Sequence, residues 1–189
     1  ATNPASDLEL KLPATVGSAN QVLANSAVAG TLAFATLPLN EIDQFLLTAH
    51  KTSDGYITAD LDRGPYTGNG LPIGTGMTQS SGVFTFPSTG KWAVFVIACF
   101  STRDSDNCTV DTYITLNNSS YTFIGRAMDA NNGSGDRVAQ GSSLTIVDIT
   151  STSDCKVQFA AGSLSTNSYV YGATPYSLTS FTFIRLGDT

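Results

Sequence analysis

The sequence has very few of the side chains that enzymes and metal sites use. Its 189 residues include one histidine, His50, and three cysteines, with no C-x-x-C spacing. A structural zinc site would lack ligands, and a Ser-His-Asp site would have to use His50, although no G-x-S-x-G segment is present. Neither GVFTFPSTGK nor GNGLPIGTG has the spacing of a nucleotide-binding loop. We therefore expect no enzyme, no catalytic residues, no cofactor and no bound metal.

Charged residues are also scarce, at 13% of the chain against about 25% in an average soluble domain. The net charge is −6, and no cluster of Lys and Arg is present that would displace counterions from a nucleic acid. No apolar run approaches the length of a transmembrane helix, and no charged-then-apolar leader occurs. The sequence predicts a soluble, extracellular-type chain that binds no nucleic acid and inserts into no membrane.

The cysteines are odd in number, so at least one thiol lies outside any intramolecular disulfide. We interpret Cys99, Cys108 and Cys155 as small buried side chains. A Cys99–Cys108 bridge stays open as the alternative.

From about Ile42 onward, apolar and polar residues alternate with a period of two between loops rich in Asn, Asp, Gly and Ser. The segments with this pattern are FLLTAH, GYITADL, VFTF, WAVFVIACF, TVDTYITL, SYTFIGRAM, SLTIVDIT, CKVQFAA and SFTFIRL. A short helix over residues 42–49 is the alternative at the first of them. No long helix is indicated, so the sequence predicts an all-β sandwich or barrel.

Residues 1–40 have a different character. They are rich in Ala, Asn and Leu, contain no aromatic residue except Phe34, and lack the apolar bulk to fold alone. We expect residues 1–40 to form an N-terminal stalk or fibre-attachment segment, and residues 41–189 to form a head domain.

The segment from Trp92 to Phe100 is apolar on both faces, whereas a strand in a two-sheet sandwich has only one inner face. Burial of a large apolar side chain is worth roughly 1.5–3 kcal/mol, so the second face needs a cover. The chain's own loops are one candidate cover, and neighbouring subunits are the one we favour. The candidate interface residues are Trp92, Val94, Phe95, Val96, Ile97, Phe100, Phe181 and Phe183.

Two segments resemble known families. Residues 8–34 resemble a module of phage tail-fibre and other virion appendage proteins, in which it precedes a terminal head. The matching residues are Leu10, Leu12, Pro13, Gly17, Gln21, Val22, Leu23, Gly30, Leu32 and Phe34. Residues 73–100 and 177–189 resemble the jelly roll of tumour-necrosis-factor-like and complement-q-like heads. There the matches are Gly82, Phe84, Pro87, Gly90, Trp92, Phe181, Phe183, Ile184 and Leu186.

These resemblances imply a jelly-roll β-sandwich head, preceded by a stalk-like segment, that forms a homotrimer around a threefold axis. They also imply a place on the virion surface, with other fibre or capsid proteins as partners and a host-surface glycan or protein as receptor. On this hypothesis the receptor contacts lie in polar loops. The candidates are Arg103, Asp104, Asp106, Asn131, Asn132, Tyr169, Tyr171 and Tyr176.

Three other functions stay open at this point. One is a capsid-decorating or fibre-capping protein that binds no receptor. Another is a small depolymerase that cleaves surface polysaccharide, and the last is a secreted cellular trimer of the same fold.

Overall fold

The computed structural model describes residues 11–18, 21–36, 39–64, 72–103, 106–174 and 176–188. The chain divides between Asn40 and Glu41 into two compact units. Within the described residues, all regular structure is β-strand, and no helix is long and apolar enough to cross a membrane. The alternative of a short helix over residues 42–49 is wrong, because a strand forms there.

The first unit is a hairpin of β1 (Gln21–Asn25) and β2 (Leu32–Thr36). The described part of the second unit contains twelve further strands. They are β3 (Ile42–Leu47), β4 (Gly55–Tyr56), β5 (Leu61–Asp62), β6 (Thr78–Ser80), β7 (Val83–Thr85), β8 (Gly90–Arg103), β9 (Asn107–Thr115), β10 (Tyr121–Ala130), β11 (Asp136–Ile149), β12 (Lys156–Gly162), β13 (Tyr169–Val170) and β14 (Ser180–Gly187).

These twelve strands form two antiparallel sheets. One sheet has the order β10-β9-β12-β7-β6, with β4 also paired to β12. The other has the order β11-β8-β14-β3-β5, with β13 also paired to β8. We call them the β9 sheet and the β8 sheet. The prediction of an all-β sandwich is confirmed.

Aromatic rings from both sheets fill the space between them. Phe159 of the β9 sheet stacks on Phe181 of the β8 sheet, with ring centroids 4.2 Å apart. Phe84 packs edge-on against Phe45 at 5.0 Å and lies 5.1 Å from Phe183. All five rings are at most 4% exposed, so they form the centre of one continuous core.

The three cysteines are free in this fold. Cys108 and Cys155 are buried in the core, and Cys99 is half-buried on the outward side of β8. Burial raises the pKa of the Cys108 thiol to about 11 and also raises that of Cys99. The two thiols therefore remain protonated at neutral pH.

One carboxylate lies at the edge of the core. Asp43 is 2% exposed and pairs with the guanidinium of Arg63, whose nearest nitrogen is 2.9 Å away. The same carboxylate accepts a hydrogen bond from the backbone N–H of Met77 at 2.6 Å. Arg63 also lies over the ring of Phe45, 4.6 Å from its centroid. A buried charge is tolerated when it is paired and hydrogen-bonded in this way, so Asp43 fixes the chain on both sides of the loop that follows β5.

A tight turn at Ser81–Gly82 joins β6 to β7, and both residues have positive φ angles of 49° and 79°. This is the geometry of a type I′ hairpin turn, in which glycine carries no steric penalty. A Cβ on Gly82 would also lie 2.1 Å from the carbonyl oxygen of Ile57. Position 82 therefore excludes residues larger than glycine for two separate reasons.

An unfavourable φ alone costs roughly 1–3 kcal/mol. We expect Gly82→Ala to lower the free energy of unfolding by more than this, because its Cβ would also meet the carbonyl oxygen of Ile57. Gly55→Ala is the matched control, because Gly55 also has a positive φ, 110°, but has no atom within 4 Å of the added Cβ. Urea unfolding monitored by Trp92 fluorescence measures both. Equal destabilisation by the two substitutions would contradict the close approach to Ile57.

Candidate functional site

The outward side of the β8 sheet carries a continuous set of apolar side chains. Antiparallel register sets Ile42 opposite Ile184, Ile184 opposite Ala93, and Ala93 opposite Ile146. In the neighbouring row Phe95 is opposite Leu144, with Ile97 further along β8. Directly opposed residues share a face of the sheet, so these side chains form one surface. We call it the apolar face and define it by Ile42, Phe95, Ile97, Leu144, Ile146 and Ile184.

The apolar face is open to solvent in the single chain. Leu144 and Ile146 are each 62% exposed, and the other four members are half-buried. Gln44 and Thr182 lie in the same row as Phe95 and hydrogen-bond to each other at 2.8 Å. A contiguous apolar patch of this kind on a sheet marks an interaction surface.

The predicted interface residues divide between the two sides of the sheet. Phe95 and Ile97 lie on the apolar face. The others are at most 1% exposed and belong to the core between the sheets, so they are not available to a neighbouring subunit and the prediction is corrected for them. These are Trp92, Val94, Val96, Phe100, Phe181 and Phe183.

Sequence reasoning missed Leu144 and Ile146 as interface candidates. The signal was present, since SLTIVDIT places these two residues on the same side of a strand. What could not be read from the sequence is that this side is continuous with Phe95 and Ile97, because that depends on the pairing of β11 with β8.

Three of the polar loops that were expected to contact a receptor meet at one end of the sandwich. The loops before β9, between β10 and β11, and after β12 are joined by hydrogen bonds. The backbone N–H of Asn131 donates to the carbonyl of Asp106 at 2.9 Å, and that of Ser165 donates to the Asp106 carboxylate at 3.2 Å. The loop at residues 117–121 lies at the other end, because it follows the last residue of β9.

Most of the candidate side chains in these loops have internal partners. Asn131 is 7% exposed, and its amide nitrogen donates to the carbonyl oxygens of Thr102 and Gly135 at 3.3 and 2.8 Å. Arg103 pairs with Asp136 at 3.2 Å. Asn132 is exposed, while Asp104 lies outside the described residues. The structure thus gives Asn131 and Arg103 roles in holding the loops together.

The three candidate tyrosines have different environments. Tyr169 stacks on His50 at 4.6 Å, and Tyr171 meets the same ring edge-on at 5.0 Å. The hydroxyls of Tyr169 and Tyr171 hydrogen-bond to each other at 3.2 Å, and this contact, followed by burial, raises the pKa of Tyr171. Tyr176 is 68% exposed on the segment before β14. Only Tyr176 therefore presents most of its ring to solvent.

Asp106 connects two of the loops. Ser168 is 1% exposed, donates its hydroxyl hydrogen to the Asp106 carboxylate, and accepts the backbone N–H of Arg103 at 2.9 Å. Burial alone would raise the pKa of Asp106, but the hydrogen bonds from Ser168 and Ser165 outweigh it and lower the pKa below its usual value. The ionised carboxylate therefore stabilises this end of the sandwich.

No family model matches the chain, and no curated protein matches it. Solved structures do match in fold, among them three of murine APRIL, determined at pH 5.0, 8.5 and 8.0. Their TM-scores are 0.58, 0.54 and 0.53 at sequence identities of 10, 9 and 10%, and each alignment covers 77% of this chain and 98% of the other. The fold is a tumour-necrosis-factor-like jelly roll. At this identity the likeness shows the fold alone.

We expect Asp106→Asn to lower the free energy of unfolding at neutral pH. Because the folded-state pKa lies below the unfolded value of about 3.9, the stabilisation is present above that pH and is lost as the pH falls through the folded-state pKa. Urea unfolding between pH 6 and pH 2 should show the difference from wild type shrinking below about pH 4.

Asp60→Asn, at an exposed turn carboxyl, is the matched control for loss of a charge and should change the free energy of unfolding at neutral pH by less than about 0.5 kcal/mol. A difference between Asp106→Asn and wild type that stays constant down to pH 2 would mean that the carboxylate charge does not hold these loops.

Proposed function

We propose that this chain is the trimeric head of a viral fibre, which attaches the particle to a receptor on the host surface. The observation that supports it most directly is the apolar face of the β8 sheet, with Leu144 and Ile146 each 62% exposed. Heads with the tumour-necrosis-factor-like fold typically form homotrimers that bind receptors. The apolar face is the surface on which such a trimer would close.

The free energy of burying apolar side chains favours another copy of this chain as the partner of the apolar face. The exposed members of the apolar face are aliphatic, and covering one such side chain is worth roughly 1.5–3 kcal/mol. A closed ring of copies buries the apolar face of every copy, whereas an open assembly leaves an unburied interaction surface at each of its two ends.

The N-terminal unit supports a place on a fibre. An isolated two-stranded hairpin is marginally stable in water, and this one leaves Val22 and Leu23 exposed at 41 and 45%. Leu12 and Val16 are more exposed still, at 70 and 95%. Such a unit is completed by other chains, as the resemblance of residues 8–34 to virion appendage modules also suggests. We propose that it joins the head to the fibre.

Recognition, and not catalysis, is the proposed chemistry. His50, the only histidine of the chain, accepts the backbone N–H of Gly172 on its Nδ1 atom at 3.2 Å and packs between Tyr169 and Tyr171. These contacts give the ring a structural position in the sandwich.

We expect light scattering of the full chain to give a mass of three times 19.7 kDa. Leu144→Glu should convert the trimer to a monomer of 19.7 kDa, because a carboxylate would have to be buried unpaired at the interface. Met128→Glu is the matched control: Met128 is 51% exposed on β10 of the other sheet, and the mass should stay trimeric.

A chain that begins at Glu41 separates the two units. If it remains a trimer, the head carries the assembly; if it is a monomer, the N-terminal unit does. A monomeric full chain, or a Leu144→Glu variant that stays trimeric, would contradict the proposed interface.

A further inference from the structure

The outward side of the β9 sheet carries a row of aromatic rings that the proposed trimer does not use. Tyr56 of β4, Tyr113 of β9 and Phe123 of β10 follow one another across the sheet. Their ring centroids are 5.7 and 5.9 Å apart, and each pair is close to perpendicular, at 71 and 66°. Tyr56 and Phe123 are 43 and 48% exposed, and Tyr113 is half-buried between them. We call these three residues the aromatic row.

Strand register and one bulge bring the row and its polar neighbours together. Tyr113 is opposite Phe123 on one side and Gln158 on the other. The register of β10 shifts between Phe123 and Gly125, so Arg126 is opposite Asp111 on the same face. Without the shift, Phe123 and Arg126 would point to opposite sides of the sheet, because Arg126 is three positions after Phe123, an odd number.

The charged groups beside the aromatic row compensate each other. The guanidinium of Arg126 binds the carboxylate of Asp111 through two hydrogen bonds of 2.7 Å each. It also lies over the ring of Phe123, 5.2 Å from the centroid. The pair is rigid, because a bidentate Arg–carboxylate contact fixes both partners in one plane. The Asp111–Arg126 pair therefore offers hydrogen-bonding groups in fixed positions and carries no net charge.

The two outward faces of the sandwich differ in chemistry. The apolar face is mainly aliphatic and matches another apolar protein surface. The aromatic row instead has flat rings beside Gln158, Asp111 and Arg126, with the half-buried Thr85 on the adjoining strand. Tyrosine and phenylalanine give a large contact area at low cost in side-chain entropy. A sugar has C–H groups that pack on flat aromatic rings and hydroxyl groups that hydrogen-bond to polar side chains. The aromatic row and its polar neighbours offer both kinds of contact.

We propose that the aromatic row is a saccharide-binding site that takes a neutral oligosaccharide of the host surface. The C–H faces of the sugar rings would pack on the exposed rings of Tyr56 and Phe123, which lie on either side of Tyr113 at centroid distances of 5.7 and 5.9 Å. The Asp111–Arg126 pair and Gln158 would bind the hydroxyl groups. The inference rests on the proposed function in naming the class of receptor, and a capping protein without a receptor would lack this activity.

Each site lies within one subunit, so a trimer carries three. Single saccharide contacts are weak, and linked sites raise the overall affinity without any new contact. The trimer then explains how a shallow and solvent-exposed row can hold a particle on a surface that presents many copies of one glycan.

The experiment is native electrophoresis of the full chain through gels that contain laminarin, mannan or dextran, with chondroitin sulfate as a polyanion. We expect retardation in at least one of the three neutral polysaccharides. Phe123→Ala and Tyr56→Ala should each raise the dissociation constant about tenfold, as for a central contact residue. Phe123→Tyr keeps the ring and should bind within about twofold of wild type.

Thermal unfolding and light scattering of the same samples distinguish a loss of binding from a loss of folding or of the trimer. Loss of binding counts for the proposal only where the variant melts like wild type. Absence of retardation in all three neutral gels, retardation by chondroitin sulfate alone, or equal binding by Phe123→Ala and wild type overturns the saccharide site. If the mass is then still trimeric, the head proposal stands and a protein receptor becomes the alternative. A monomer that is retarded contradicts the trimer and leaves the saccharide site in place.

Discussion

The contact between Phe159 and Phe181 is the constraint on which the rest of the molecule depends. These rings stack at 4.2 Å across the two sheets, and Phe84, Phe45 and Phe183 pack around them. Every strand that contributes to this core does so with alternate residues only. Once Val94 and Val96 of β8 are opposite Phe183 and Phe181, the side chains between them have to point away from the core. The two outward surfaces therefore consist of the alternate residues that point away from the core, and these residues determine the chemistry of each surface.

We propose a different role for each of these two surfaces. The β8 sheet presents aliphatic side chains across β3, β14, β8 and β11, which suits permanent burial against copies of the same chain. The β9 sheet presents rings and compensated charges across β4, β9 and β10, which suits reversible contact with a polar ligand. The proposed self-association and the proposed ligand binding thus use opposite sides of one core, so a trimer would still display its saccharide-binding surface.

Much of the fold could be read from the sequence, because alternation marks strands wherever one face is apolar. CKVQFAA shows this well: Cys155, Val157 and Phe159 are buried as their spacing predicts. Alternation failed for WAVFVIACF, where both faces are apolar and only the pairing with Phe181 and Phe183 decides which one is inside. In TVDTYITL, alternation predicts that Leu116 shares a face with Val110 and Ile114, but Leu116 is 61% exposed because β9 ends at Thr115. The aromatic row depends on register between three separate strands and on the shift after Phe123, neither of which has a local signature in the sequence.

The free cysteines have a consequence for where this head can be made. No covalent cross-link closes the sandwich, and its stability comes from ring packing and from charges such as the Asp43–Arg63 pair. Disulfide-stabilised domains need an oxidising compartment and the correct pairing of their thiols. This fold needs neither, since Cys108 and Cys155 lie in the core and the raised pKa of Cys108, about 11, keeps its thiol unreactive. It can therefore reach its native state in the reducing interior of a cell.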